Sequence, residues 1–264
     1  MTWEKCKLLL FDLDGTLLKS DKTVSKRTIS VLNRCREKGI LIGVCTSRSE
    51  QNTLAYLNEL TPDILISSGG ALIKYKTEYV YRAVFSQKET RSMIDAARRI
   101  CGNDCEITID TTDAHYWNYK TAPEKSDKNW GNSIYTDFSD FKECSLKMCV
   151  EIFEWAKAAK LAEILSDCDC IRFSDGYWYK FTKKNATKEN AIKKIAKVCG
   201  FKTDSIIAFG DDYADMGMLE LCGTGVAMGN AIDEVKAKAD IVIGSNDKDG
   251  IADFIEKYLY GENV

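Results

Sequence analysis

Histidine and proline are nearly missing from this chain of 264 residues: His115 is the one imidazole, and Pro62 and Pro123 are the two prolines. Any triad or histidine-based acid–base scheme must therefore rest on His115, and carboxylate chemistry becomes the first expectation. Long apolar runs are missing too. Stretches such as Leu8 to Phe11 and Ile40 to Cys45 fall far short of the ~20 residues that span a bilayer. The residues before them include Glu4 and lead into too few apolar positions for a secretory h-region. A cytosolic protein with no membrane partner is expected. Charge of one sign is also lacking, since 37 Lys and Arg oppose 40 Asp and Glu, a formal −3. Without a basic patch or run, nucleic acid is not an expected partner. Cysteine is plentiful, at 11, but the count is odd and no pair has the C-x-x-C spacing of a zinc site or redox motif. Reduced, mostly buried thiols are expected.

What is present is the composition of a folded globular chain, 45% hydrophobic and 29% charged, long enough for one domain carrying a second. Its first 80 or so residues alternate apolar runs with amphipathic segments, the grammar of a parallel sheet covered by helices on both faces. Lys7 to Leu13, Ile40 to Thr46 and Asp63 to Ser67 read as strands. Ser25 can cap a helix bearing Ile29, Leu32 and Cys35, which Gly39 stops, and a second helix carries Leu54, Leu57 and Leu60. The same grammar returns in strands Ser205 to Gly210, Gly223 to Met228 and Ala239 to Ile243, closed by a helix over Ile251 to Leu259. Between these ends the strands alternate one-sidedly: Cys105 to Asp110, Ala114 to Lys120, Leu146 to Phe153, and Cys170 to Phe181, the last with an Asp175-Gly176 hairpin signal. Ser86 and Glu89 form a capping box ahead of Met93, Ile94 and Ile100. The expected architecture is α/β: a Rossmann-like, doubly wound parallel sheet from residues 1–82 and 183–264, with an inserted α+β module over 83–182.

Chemistry-bearing residues collect at the carboxyl ends of the core strands, where open α/β sheets bind ligands. Phe11-Asp12-Leu13-Asp14-Gly15-Thr16-Leu17 ends the first strand with two acids, residues poorly suited to strands. In extended backbone Asp12 and Asp14 face the same way, and a cation is expected between them. Phe209-Gly210-Asp211-Asp212-Tyr213-Ala214-Asp215 ends a later strand. Asp211 and Asp215 can converge on the same ion with hard oxygen ligands that suit Mg²⁺. Thr46, in Cys45-Thr46-Ser47-Arg48, adds a hydroxyl at the same edge. Lys188 lies near a helix start, where its charge opposes the dipole and makes sense beside a bound anion.

The Asp-x-Asp-Gly-Thr string, the strand-end Thr46, the isolated Lys188 and the Gly-Asp-x-x-x-Asp string together resemble the haloacid dehalogenase superfamily of phosphohydrolases. The tail Val226-Ala227-Met228-Gly229-Asn230-Ala231, with Ala239-Asp240 and Asp249-Gly250, is similar to that of its Cof-like branch, and the insertion has the place and size of a type IIB cap. The resemblance implies a Mg²⁺-dependent phosphatase of small phosphorylated metabolites, such as sugar phosphates or phosphorylated cofactors. It implies Asp12 as nucleophile forming an aspartyl-phosphate, Asp14 as acid and then base, and Thr46 and Lys188 as holders of the phosphoryl group. Asp12, Asp211, Asp215 and the backbone carbonyl of Asp14 would surround the ion. A hexose phosphomutase using the same aspartyl-phosphate, or a non-catalytic sensor of Mg²⁺ or a phospho-ligand, are the alternatives. Two positions depart from the family pattern: Ala214 stands where Asn is usual, and Gly69-Gly70-Ala71 where Asn-Gly-Ala is frequent.

Other residues have plainer expectations. Asp212 reads as a surface or supporting residue, Arg48 as a phosphate helper or a loop arginine, and Asn230 as a helix cap. His115 reads as part of a packed aromatic cluster with Tyr116, Trp117 and Tyr119. Tyr177, Trp178 and Tyr179 read first as good strand residues.

Overall fold

The computed structural model describes residues 5–57, 59–119, 133–174 and 176–261, apart from the side chains of residues 259 and 260. In chain order its strands are Leu8–Phe11 (β1), Leu41–Cys45 (β2), Ile64–Ser67 (β3), Leu72–Tyr75 (β4), Glu78–Arg82 (β5), Ile107–Asp110 (β6) and His115–Trp117 (β7). Ser133–Tyr135 (β8), Lys147–Glu151 (β9), Cys168–Arg172 (β10), Trp178–Lys183 (β11), Ile206–Gly210 (β12), Thr224–Ala227 (β13) and Ile241–Val242 (β14) follow. The helices are Lys26–Glu37 (α1), Glu50–Leu57 (α2), Gln87–Cys101 (α3), Trp155–Ile164 (α4), Lys188–Cys199 (α5), Met216–Leu221 (α6), Asp233–Lys238 (α7) and Gly250–Tyr260 (α8).

An eight-stranded sheet in the order β14-β13-β12-β1-β2-β3-β4-β5 forms the core, parallel from β14 through β3. Strand β1 sits in its interior and is fully buried. Its alternation splits it between two cores: Leu9 and Phe11 pack with Leu32 of α1 and Phe254 of α8, while Leu8 and Leu10 pack with Ile192 of α5 and Met218 of α6. Such two-face burial is the reason the parallel strands read as unbroken apolar runs. Phe11 and Phe209, neighbours in register, stack at 4.6 Å and fix the strand ends of β1 and β12 side by side. Ser25 caps α1 by accepting from the Thr28 N–H, as its sequence position predicts.

The edge beyond β3 departs from the parallel expectation. Strands β4 and β5 run antiparallel there, joined by a tight turn, because a two-residue connection cannot make a parallel crossover. Helix α2 also differs: Leu57 and Leu60 are buried but Leu54 is 48% exposed, and the inward face carries Glu50, Asn52 and Thr53. Glu50 is held there by Lys74 Nζ at 2.6 Å and the Tyr79 hydroxyl at 2.8 Å.

A second sheet, β10-β11-β9-β6-β7-β8, is antiparallel except for the β7–β8 pair. Helices α3, started by the Ser86–Glu89 capping box, and α4 cover one face, burying Ile107, Ile109, Met148, Val150 and Phe181. The one-sided expectation fails for the middle strands: β6 is buried throughout and β9 nearly so. Their polar positions Thr108, Asp110, Lys147 and Cys149 turn toward the core sheet and are shielded by it. The hairpin β10–β11 exists, and the pairing nearest its turn is the Phe173 N–H to the Trp178 carbonyl. Asp175, Lys120 and Pro123 lie outside the described residues. All 11 cysteines are free thiols, six of them buried and Cys144 the exposed one.

Candidate active site

Asp12 follows β1 directly and Asp211 follows β12, so the parallel pairing of the two strands brings both acids to the same edge of the sheet, one residue out of register. A short turn over Tyr213–Asp215 then swings Asp215 back, where its carboxylate accepts the backbone N–H groups of Asp211 at 3.0 Å and Asp212 at 3.1 Å. One carboxylate oxygen from each of Asp12, Asp211 and Asp215 falls within 4.8 Å of the others. Gly15 makes this approach feasible: its φ is +75°, and a Cβ there would sit 2.2 Å from the Asp211 carboxylate. Thr16, in the same loop, donates its hydroxyl to Asp211 at 2.6 Å.

Lys188 opens α5, after Thr187 caps it, and is only 2% exposed. Its ammonium bridges Asp12 and Asp215, 2.6 Å from each. Burial would push that lysine down, but the two carboxylates outweigh it and hold it charged, well above its usual range. One ammonium does not balance three acids. Burial and then Asp215 raise Asp12 well above the usual carboxylate range despite Lys188, and the same two causes push Asp211 up to about 7. Three crowded oxygen donors whose ionised forms are under-compensated fit a hard divalent cation, which would relieve the repulsion that raises them.

Asp14 lines the same pocket but stands apart from this trio. Instead of sharing a cation with Asp12, it takes the Arg48 guanidinium on both carboxylate oxygens, at 2.8 Å from Nη2, and Lys22 Nζ at 2.8 Å. Burial opposes ionisation there, yet Arg48 and Lys22 hold the carboxyl below its usual range. Among protein groups the two acids thus have separate cationic partners, Lys188 for Asp12 and Arg48 with Lys22 for Asp14. Arg48 is 5% exposed and lies over the Tyr56 ring, so it is not a solvated loop residue. Thr46 is buried and its hydroxyl accepts the Arg48 N–H at 3.1 Å.

These residues form the floor of a cavity of about 530 Å³ whose roof is the second sheet, through Thr108, His115, Trp117, Lys147, Cys149 and Trp178. The volume suits a small metabolite. A shallow, open depression of about 620 Å³ beside α5, lined by Asn185, Glu189 and Lys193, has no comparable convergence of acids. His115 is not simply one of an aromatic cluster. Trp117 and Tyr119 do stack, at 4.7 Å, but the His115 ring bonds Asp110 through Nδ1 at 2.6 Å. Asp110, fully buried, also takes Lys147 Nζ at 2.8 Å and the Ser68 hydroxyl at 2.8 Å. Burial opposes its charge, but Lys147 and His115 bring it down to about 2. Lys147 Nζ donates onward to the Ser47 carbonyl at 2.7 Å, so this network ties the roof to the loops after β2 and β3.

Sequence reasoning missed Thr16, Lys22, Lys147 and Asp110. The last two carried a weak signal, being charges at the ends of largely apolar strands; Lys22, a loop lysine, carried none. Asp212 lines the pocket and caps the turn that aims Asp215. Asn230 does not cap a helix. It donates to the Gly15 carbonyl at 2.7 Å and accepts the Asn246 N–H at 3.0 Å, fastening the loop after β1 to the C-terminal segment. Ala214 lines the pocket with no polar atom in its side chain.

A parallel α/β sheet with acids at its strand ends, closed by a roofing sheet, defines a capped phosphohydrolase. The family model for haloacid dehalogenase-like hydrolases matches residues 9–255, and the chain belongs to that family, as one of its phosphatases. Among curated relatives, the 5-amino-6-(5-phospho-D-ribitylamino)uracil phosphatase YitU of Bacillus subtilis is 28% identical, over 96% of this chain and 97% of its own. The pyridoxal phosphate phosphatase YbhA of Escherichia coli is 27% identical, over 96% and 98%. Among solved structures, a subclass IIB sugar phosphatase superposes with a TM-score of 0.82 at 24% identity, covering 96% of this chain and 98% of that one. A haloacid dehalogenase-like hydrolase from Bacteroides thetaiotaomicron superposes at 0.81 with 26% identity, over 96% and 99%.

Proposed function

We propose that this chain hydrolyses phosphomonoesters of small metabolites with Mg²⁺, using Asp12 as the nucleophile and residues 83–182 as the cap. The observation that carries this is the convergence of Asp12, Asp211 and Asp215 around Lys188 beneath a roofed cavity. The relatives named above act on phosphorylated small molecules, which supports the same substrate class.

Asp12, Asp211 and Asp215 would hold the cation, with the Asp14 carbonyl added by family resemblance. When bound, Mg²⁺ supplies positive charge that screens phosphoryl oxygens from these acids. A carboxylate oxygen of Asp12 attacks phosphorus as the P–O bond to the leaving alcohol breaks, and Asp14 gives that oxygen a proton. Asp14 then takes a proton from water as the water oxygen attacks phosphorus, releasing phosphate and restoring Asp12. Lys188 and Thr46 hold phosphoryl oxygens through both steps. Arg48 and Lys22 favour the ionised form of Asp14, the form needed for the second step. Donating in the first requires Arg48 to turn from Asp14 to the incoming phosphoryl group. The roof keeps bulk water from the phosphorylated aspartate.

The test is phosphate release across a panel of metabolite esters with Mg²⁺ or EDTA. Turnover that needs Mg²⁺ and Asp12 is the expected result. Release unchanged by EDTA, or retained in Asp12→Asn, overturns the reading.

A further inference from the structure

The function proposed above uses the floor of the cavity and leaves its roof chemically idle. Yet the roof contains a buried imidazole with half of its hydrogen-bonding capacity unused. His115 is 3% exposed and lines the cavity; Nδ1 is taken by Asp110, and Nε2 has no hydrogen-bond partner among the described residues. A buried polar nitrogen without a partner is costly and uncommon in folded proteins. Its placement on the wall of a ligand-sized cavity supplies a reason.

Asp110 fixes what that nitrogen can do. As an ionised acid it can only accept, so the proton of the shared hydrogen bond resides on Nδ1, and Nε2 is left facing the cavity, an acceptor whenever the ring carries one proton. Position is fixed as well. Asp110 is bonded to Ser68 and, through Lys147, to the Ser47 carbonyl, both in loops of the core sheet. Ser47 is adjacent to Thr46, so His115 is held at a set distance from the phosphoryl end of the site. Beside it on the roof are Trp117 and Trp178, edge to face with centroids 6.3 Å apart. The cavity is ionic at its floor, and its roof sets two tryptophans beside His115, a pairing that suits a phosphate joined to a ring.

Resting on the phosphatase reading, we infer that the Asp110–His115 pair recognises the leaving group, which is a ring bearing a hydroxyl or N–H. His115 Nε2 accepts that hydrogen and the tryptophans bound the ring. His115 is a specificity residue and Asp110 its positioning residue.

The experiment compares His115→Asn with His115→Gln. An asparagine amide occupies the place of Nδ1 and keeps a donor for Asp110 while deleting Nε2; a glutamine amide reaches the place of Nε2. Values of kcat/KM are measured for pyridoxal 5′-phosphate as the planar ring ester, glucose 6-phosphate as the sugar and glycerol 3-phosphate as the acyclic ester. Wild type should favour one ring ester over the acyclic one, and His115→Asn should cut that preference about tenfold, mainly through KM, with His115→Gln recovering part of it. Which ring ester responds identifies the ring class. A wild type that prefers the acyclic ester, or a preference untouched in His115→Asn, overturns the inference. Melting curves establish that the variants are folded. If wild type hydrolyses no ester, the phosphatase reading fails by itself. Tryptophan quenching by the same two ring esters then decides recognition: about tenfold weaker binding in His115→Asn sustains it, and equal binding overturns it.

Discussion

The ammonium of Lys180 occupies the space into which a side chain on Gly69 would grow: a Cβ built at Gly69 lies 2.6 Å from Lys180 Nζ. Lys180 is 1% exposed, and burial followed by Lys188 and Lys147 pushes it down to about 8. This relationship explains one departure from the family pattern. Asparagine cannot stand at position 69 while Lys180 keeps its place, so the two positions have to be considered together.

Gly69→Asn should therefore destabilise the fold by about 1–3 kcal/mol, although asparagine tolerates the left-handed backbone found there. In a Lys180→Ala background the obstruction is gone, and most of that cost should vanish. Urea unfolding of the four proteins of the cycle measures the coupling, expected at about 1 kcal/mol or more. Independent, additive effects would show that the two residues do not compete for space.

Metal binding should appear in the pH dependence of stability. In metal-free protein Asp211 titrates near 7 and Asp12 is raised in the same direction, against ~3.9 for an unfolded aspartate. The folded state then holds more protons between about pH 4 and pH 7, so stability falls as pH rises through that window. Mg²⁺ should raise the melting temperature more at about pH 7 than at about pH 5, where it competes with bound protons. Melting curves in EDTA and in Mg²⁺ check this. No Mg²⁺ effect at either pH would count against the cation site.

Asp12→Asn should reduce turnover by at least ~10³-fold, because an amide cannot form the covalent intermediate. Phosphate release under Mg²⁺ saturation reads this directly. Mass spectrometry of wild type quenched with substrate should find phosphate on Asp12.

Asp14→Asn should distinguish substrates by their leaving groups. An aryl phosphate departs without a proton, so the first step should survive with it, and a burst of phenol should precede stalled hydrolysis. An alkyl ester needs the proton and should lose about 10²-fold or more in the first step itself. Rapid-quench kinetics separate the cases. Equal losses for both esters would remove Asp14 from the acid role.

Much of the floor was legible in the sequence because its acids break strand rules at strand ends: Asp12, Asp14, Asp211 and Asp215 are conspicuous after apolar runs. Lys188 was legible only through its place in that set. The partners of Asp14 were not. Lys22 reaches it from a loop whose backbone path no local pattern encodes, and Arg48 gave two equal readings until Tyr56 and Asp14 were seen on either side of it. The roof was misread as one-sided for a similar reason. Period-2 alternation shows which face is apolar, but not that the polar face is covered by another sheet. Leu54 illustrates the reverse error, an apolar residue at helical spacing that simply faces solvent.

The interior position of β1 bears on how the molecule comes into being. Asp12 precedes its partner Lys188 by 176 residues, and β12, which flanks β1, is translated later still. At ribosomal speeds of about 5–20 residues per second, the first strand emerges tens of seconds before its second neighbour. Throughout that interval one edge of a wholly apolar strand is open to mispairing. The segment around β1 thus stays without one neighbour until β12 is made, and Asp12 waits through most of that time for its partner Lys188.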